Sequence, residues 1–148
     1  GFGFSQLTPI LLKTLNIISQ RESRDSIFII EEPEANLHPK LQSKLADYFV
    51  LTLNYFPEFH FVIETHSEYL IRKLQLLVAK KEIKSDDVII HYFNSDEYVD
   101  VNNPKVKPIE IDEDGQLTEM FGPGFFDEAT NMKYKLMVQN AKSKQKQK

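Results

Sequence analysis

Ile27-Phe28-Ile29-Ile30-Glu31-Glu32-Pro33-Glu34 is the stretch on which the fold turns. Four apolar residues in a row, closed by carboxylates and a proline, are too short for a helix. They suit a central strand covered by helices on both faces. Downstream, Pro39 opens a helix whose inner stripe is Leu41, Leu45, Tyr48, Phe49 and Leu53. Phe59 to Glu64 reads as a second buried strand. Thr65-x-x-Glu68 reads as the capping box of a helix that buries Leu70, Ile71, Leu74, Leu77 and Val78. Strand, long helix, strand needs a crossover, so the two strands are expected to be parallel. Upstream, Ser5 is expected to cap a helix with Leu7, Ile10, Leu11, Leu15 and Ile18 on its apolar face. Pro9 sits near its first turn, and Arg21 to Ser26 forms a polar break.

The second half changes character. Val88 to Phe93 reads as a strand, and Tyr98–Val101, Val106–Ile111 and Gln116–Phe121 as weaker ones. Asp112-Glu113-Asp114-Gly115 forms a hairpin turn. Gly122-Pro123-Gly124 breaks the chain, Phe126 to about Lys142 is helical, and the end is basic and of low complexity. The expected organisation is an α/β core over residues 1–95, a small antiparallel β extension over 96–125, and a C-terminal helix with a basic tail over 126–148.

Composition narrows the function. The chain has 148 residues, 41% hydrophobic and 27% charged, which describes a globular protein with a real core. Eighteen basic against twenty-two acidic residues give a net charge of −4, which argues against a uniformly basic nucleic-acid binder. There is no cysteine, so disulfide scaffolds, Cys nucleophiles and Cys-ligated zinc are excluded, and a cytoplasmic location fits. No apolar run approaches the ~18 residues of a membrane span. The chain starts at Gly1 without Met and reads as a piece of a longer protein.

Three stretches carry chemistry. Glu31 and Glu32 sit at the C-terminal end of the first buried strand, the edge at which open α/β sheets bind ligands. Because neighbours on a strand point to opposite sides, one can hold Mg²⁺ and the other can orient or deprotonate a water. The plainer alternative is that acidic residues simply begin a loop near a helix N-terminus. His66 follows the second strand, where a neutral imidazole can bond a phosphate or the attacking water, or can serve as a cap. Gly1-Phe2-Gly3-Phe4-Ser5-Gln6 opens a helix, a place where backbone N–H groups and a hydroxyl attract phosphate.

Taken in order, these stretches resemble the C-terminal half of an ABC-type ATPase domain over roughly residues 1–95. The run Glu-Glu-Pro-Glu-x-x-Leu-His-Pro is similar to the soluble branch, the RecF-like and overcoming-lysogenization-defect-like prokaryotic AAA-type ATPases. The resemblance implies a P-loop NTPase-like parallel sheet flanked by helices. It implies Glu32 and His66 as catalytic residues and Glu31 on the Mg²⁺ side. Gly3, Ser5 and Gln6 fall in the signature motif, which approaches the ATP phosphates across a homodimer of heads. Glu34–His38 falls at the D-loop, although His38 stands where transporter ATPases have Asp, and Glu31 likewise replaces an Asp. The resemblance also implies a partner lobe bearing the phosphate-binding loop, and a nucleic-acid connection in DNA repair, DNA maintenance or phage defence. Gly115-x-Leu117 with Gly122 to Glu128 is similar to the C-terminal element of a poorly characterised group of such ATPases, which tends to have Trp-Pro at Met120-Phe121.

Two other readings compete. Glu31, Glu32, Glu34 and His66 could form a two-metal nuclease site, or the chain could be a non-catalytic interaction module. No Gly-x-x-x-x-Gly-Lys-Ser/Thr occurs in these 148 residues, so no phosphate cradle of that type is encoded in them. The 148-residue chain by itself is therefore expected to release no phosphate from ATP above background in a phosphate-release assay.

Overall fold

The computed structural model describes residues 2–19 and 26–145, with the side chains of 2–6, 141 and 143–145 left aside. The expected polar break at 21–25 and the last three residues of the basic tail lie outside the described residues. The elements are α1 (Phe2–Ser19), β1 (Ser26–Glu31), α2 (Pro39–Tyr55), β2 (Phe59–Glu64), α3 (Glu68–Ala79), β3 (Ile89–Phe93), β4 (Val106–Glu110) and α4 (Glu128–Gln145). The chain divides into two compact units, residues 1–89 with 110–118, and residues 90–109 with 119–148.

The first unit is α/β. β1 and β2 pair in parallel with register Ser26↔Phe59 through Glu31↔Glu64, as the crossover requires. Period-two alternation then sorts the side chains. Phe28 and Ile30 are buried, and Phe28 and Phe61 are register partners with ring centroids 6.2 Å apart. α2 sends Phe49 to 4.8 Å from Phe61, and Lys13 of α1 lies over the Phe28 ring at 5.5 Å. α2 also packs on α3, whose Leu70, Ile71, Leu77 and Val78 are buried. Each such leucine contributes about 1.5–3 kcal/mol by leaving water. The turn over 110–118 closes with an antiparallel bridge, Ile111↔Leu117. It lies against α3, where Gln75 donates to the Gly115 carbonyl at 2.7 Å. Gly115 has φ +82° and a Cβ there would stand 2.5 Å from the Gln75 carbonyl oxygen, so both conformation and space require glycine.

Several expectations need correction. The opposite face of the sheet is not covered, since Ile27 and Ile29 are 65% and 68% exposed and Val62 is 53% exposed. The contacts of Lys13 in α1 and Phe49 in α2 fall on Phe28 and Phe61, the buried side of the pair. In α1 the buried positions are Ile10 and Thr14 rather than Leu11 and Leu15, and the Thr14 hydroxyl satisfies itself on the Ile10 carbonyl at 2.9 Å. That helix starts at Phe2, so Ser5 lies in its first turn and not at its cap. Ser67, not Thr65, caps α3. Its hydroxyl accepts from the Leu70 N–H at 3.1 Å, while the Thr65 hydroxyl accepts from the Ser67 N–H.

In the second unit, Asn94 N–H donates to the Lys105 carbonyl, joining the end of β3 to the start of β4, so the two strands run antiparallel. Asn94 is buried and donates to the Asn103 side chain and the Pro104 carbonyl. Tyr98–Val101 is no strand. The Asp100 carboxylate captures the N–H groups of Asn102 and Asn103 and turns the chain instead. The strand expected over Gln116–Phe121 reduces to the single rung at Leu117, because Gly122-Pro123 follows too soon for a ladder. Phe121, Phe125 and Phe126 form one aromatic cluster, and Phe121 and Phe125 lie edge-on to Tyr92 of β3. α4 begins at Glu128, two residues later than expected. Among the described residues no helix is long and apolar enough to cross a membrane.

Asp47 of α2 meets Lys73 of α3 at 2.9 Å and Lys44 at 3.0 Å. Partial burial acts to raise the Asp47 pKa, but the two ammonium groups outweigh it and hold the carboxyl below its usual value. A depressed pKa stabilises the fold above the unfolded value of about 3.9 and ceases to do so as pH falls through the folded value. Asp47→Asn is expected to lower Tm at pH 7 by a few degrees, on the order of 1 kcal/mol or less. Thermal melts at decreasing pH should show the gap closing below about pH 4.

Candidate functional site at the carboxyl end of the parallel strands

Parallel pairing brings the ends of β1 and β2 to the same level, and the loops that follow both carry chemistry. The last rung is Glu32 N–H to the Glu64 carbonyl at 2.9 Å. Glu31 and Glu64 are register partners and lie on the uncovered face. At Glu32 the backbone leaves strand geometry with φ 43°, an unfavourable value for a residue with a Cβ. Two consecutive turns follow, closed by Ala35 N–H to the Glu32 carbonyl and Leu37 N–H to the Glu34 carbonyl, both at 3.0 Å. Fully buried Pro33 takes the second position of the first turn, where its fixed φ is favoured. Asn36 takes the third position of the other with φ 60°, a conformation that Asn tolerates better than most residues. His38 then caps α2, its Nδ1 accepting from the Lys40 N–H at 3.3 Å.

From the β2 side, His66 comes to meet Glu32. His66 Nε2 lies 3.7 Å from Glu32 Oε1, with the two side chains 72% and 56% exposed. That separation is too long for a hydrogen bond, but it leaves both groups open to one small ligand. Beneath them the loops are tied together. Glu34, only 7% exposed, accepts the His66 N–H on Oε1 at 2.6 Å. Ser67 Oγ donates to Gln42 Oε1 at 2.7 Å, and Gln42 Nε2 donates to the Leu37 carbonyl at 3.0 Å.

The structure therefore brings together Glu32 and His66, two of the residues singled out in the sequence, while Glu31 lies on the uncovered face beside Glu64. Gly3, Ser5 and Gln6 lie in the first turns of α1, and their side chains are outside the described residues. Sequence reasoning missed the bond made by Glu34, and with it two structural neighbours of the site, Glu64 in the strand pair and Gln42 in the loop packing. Glu64 is visible only once the register with Glu31 is known, and Gln42 only once Ser67 is placed beside it. The position of Glu34 two residues after Glu32 in a Pro-containing turn was the one available signal.

Among the described residues no group of three or more His, Asp or Glu is arranged to hold a metal ion. The four residues of the nuclease alternative are not gathered into one, since Glu34 is buried beneath the others. The donor set does suit Mg²⁺ brought with a nucleotide, which takes one or two protein carboxylates and completes its shell with phosphate and water. Glu31 is exposed at the end of β1.

Residues 1–71 match the AAA ATPase domain family, which takes in α1, both parallel strands, the Glu32–His38 loop and His66. Residues 83–136 match a second family, described as a protein of unknown function, DUF3696. No curated protein and no solved structure matches the chain.

Asn36 offers a test of the loop's conformation. Asn36→Gly is expected to be tolerated. Asn36→Val, which forces a β-branched residue to positive φ, should cost roughly 1–2 kcal/mol in denaturant unfolding.

Proposed function

We propose that residues 1–71 form part of an ABC-like ATPase head that binds and hydrolyses ATP. The observation that carries this reading is the pairing of exposed Glu32 with His66 at 3.7 Å on the carboxyl edge of two parallel strands. The AAA ATPase match over the same residues supports it.

In this reading Glu32 orients the attacking water and accepts its proton, and His66 Nε2 bonds the water or the terminal phosphate. Glu31 holds Mg²⁺, which when bound neutralises charge on the phosphates. Positioning does most of the work, so the rigid loop matters as much as its functional groups. The uncovered sheet face of Ile27, Ile29 and Val62 supports docking of a further lobe, the one that bears the phosphate-binding loop, because parallel strands are usually covered on both faces. Gly3, Ser5 and Gln6 belong to the surface that meets the phosphates of a second head, so ATP joins two heads and hydrolysis releases them. By family analogy the output is mechanical or regulatory, in the cytoplasm, in DNA repair, DNA maintenance or phage defence.

The test uses the ATP-hydrolysing protein in which these residues are joined to a phosphate-binding loop. Glu32→Gln is expected to retain ATP binding and slow hydrolysis by at least ~10²-fold, since a general base typically contributes 10²–10⁴. ATP-bound dimers should accumulate in sedimentation velocity. Unchanged turnover in this variant would remove Glu32 from the catalytic role.

A further inference from the structure

We infer that Glu34 is a positioning residue of this site, acting through the backbone of His66 rather than on the nucleotide. The inference rests on the ATPase reading above and adds to it a residue that touches no reacting atom.

Three observations carry it. First, the Glu34 carboxylate is buried, and its Oε1 accepts the N–H of His66, thirty-two residues away in sequence, at 2.6 Å. A charged acceptor makes this bond about twice as strong as a neutral one. Second, its Oε2 is buried with no hydrogen-bond partner among the described residues. An orphaned buried polar atom is destabilising, so general stability does not account for a carboxylate here. Third, the strained backbone is concentrated in the same loop. Glu32 and Asn36, two of the three non-glycine residues with positive φ among the described residues, flank Glu34. Strain and an unsatisfied buried acid gathered in five residues mark a loop whose geometry is held against local preference.

The consequence is geometric. Glu32 and Glu34 belong to one turn, so a bond from Glu34 to the His66 amide holds the backbone that carries Glu32 beside the backbone that carries His66. Gln42 makes a second tie between the same loops, but it reaches Ser67 and the Leu37 carbonyl and bypasses both Glu32 and His66. The two ties are thus separable by mutation.

Glu34→Ala removes the acceptor, Glu34→Asp withdraws it by one methylene, and Glu34→Gln keeps an oxygen for the same N–H. In the 148-residue chain, amide hydrogen exchange at His66 should lose protection in Glu34→Ala and Glu34→Asp and keep it in Glu34→Gln. In the ATP-hydrolysing protein, Glu34→Ala should lower kcat by about 10–10²-fold, the scale of a misplacement of about 1 Å, with KM for ATP little changed. Glu34→Gln should restore kcat. Gln42→Ala should lower Tm while leaving kcat near that of the unsubstituted protein. If Glu34→Ala does not fold, Glu34→Asp is read in its place. Unchanged kcat in Glu34→Ala and Glu34→Asp overturns the inference, as does a kcat loss in Gln42→Ala equal to that of Glu34→Ala. Glu32→Gln is run beside them: if it retains full turnover, the ATPase reading has failed. The Glu34 inference is then judged by His66 exchange alone, where protection persisting in Glu34→Ala overturns it.

Discussion

Because β1 and β2 run parallel and in register, the chain leaves both strands at the same edge. Glu31 and Glu64 become neighbours there, Glu32 makes the last rung to Glu64, and the turn after β2 delivers His66 to the turn after β1. An antiparallel pairing of the same two segments would put Glu32 and His66 at opposite ends of the sheet, roughly six residues or about 20 Å apart. The meeting of Glu32 with His66 and the bond between Glu34 and the His66 amide follow from that one arrangement of strands.

The same pairing leaves the sheet one-sided in this chain. Phe28, Ile30, Phe61 and Ile63 alternate toward α2, and Ile27, Ile29 and Val62 toward the other side, where the described residues supply no helix. A two-stranded parallel sheet with an apolar outer face is an unusual end state, since such strands are stable chiefly when layered on both faces.

The second unit is built differently. Its antiparallel strands are joined through turns held by Asn94, Asp100 and Asn103, and its apolar content is concentrated in the cluster of Tyr92, Phe121, Phe125 and Phe126. Side-chain to backbone bonds from Asn and Asp replace ladder bonds there, which is why alternating patterns such as Tyr98–Val101 do not become strands.

Local pattern alone determined much of this protein. The apolar run at 27–30 made β1, Pro39 opened α2, and the stripe of Leu70, Ile71, Leu77 and Val78 set the buried face of α3. Parallel pairing followed from the length of the crossover, and the place of Glu31, Glu32 and His66 at or just after the strand ends could be read from the same pattern. Each of these properties depends on neighbours within a few residues, or on the simple need to cover a helix face. Tertiary structure decided the rest. Whether Ile27 and Ile29 are covered depends on which elements are present to cover them. The hydroxyl of Ser67, which caps α3, also donates to Gln42 of another helix, a contact that no local pattern announces. That Glu34 holds the His66 amide, while Glu32 stays open to a ligand, depends on two loops separated by a helix and a strand. Such contacts leave no periodic trace in the sequence, because hydrogen bonds between distant residues are set by the register of β1 on β2 and not by any local pattern of residues.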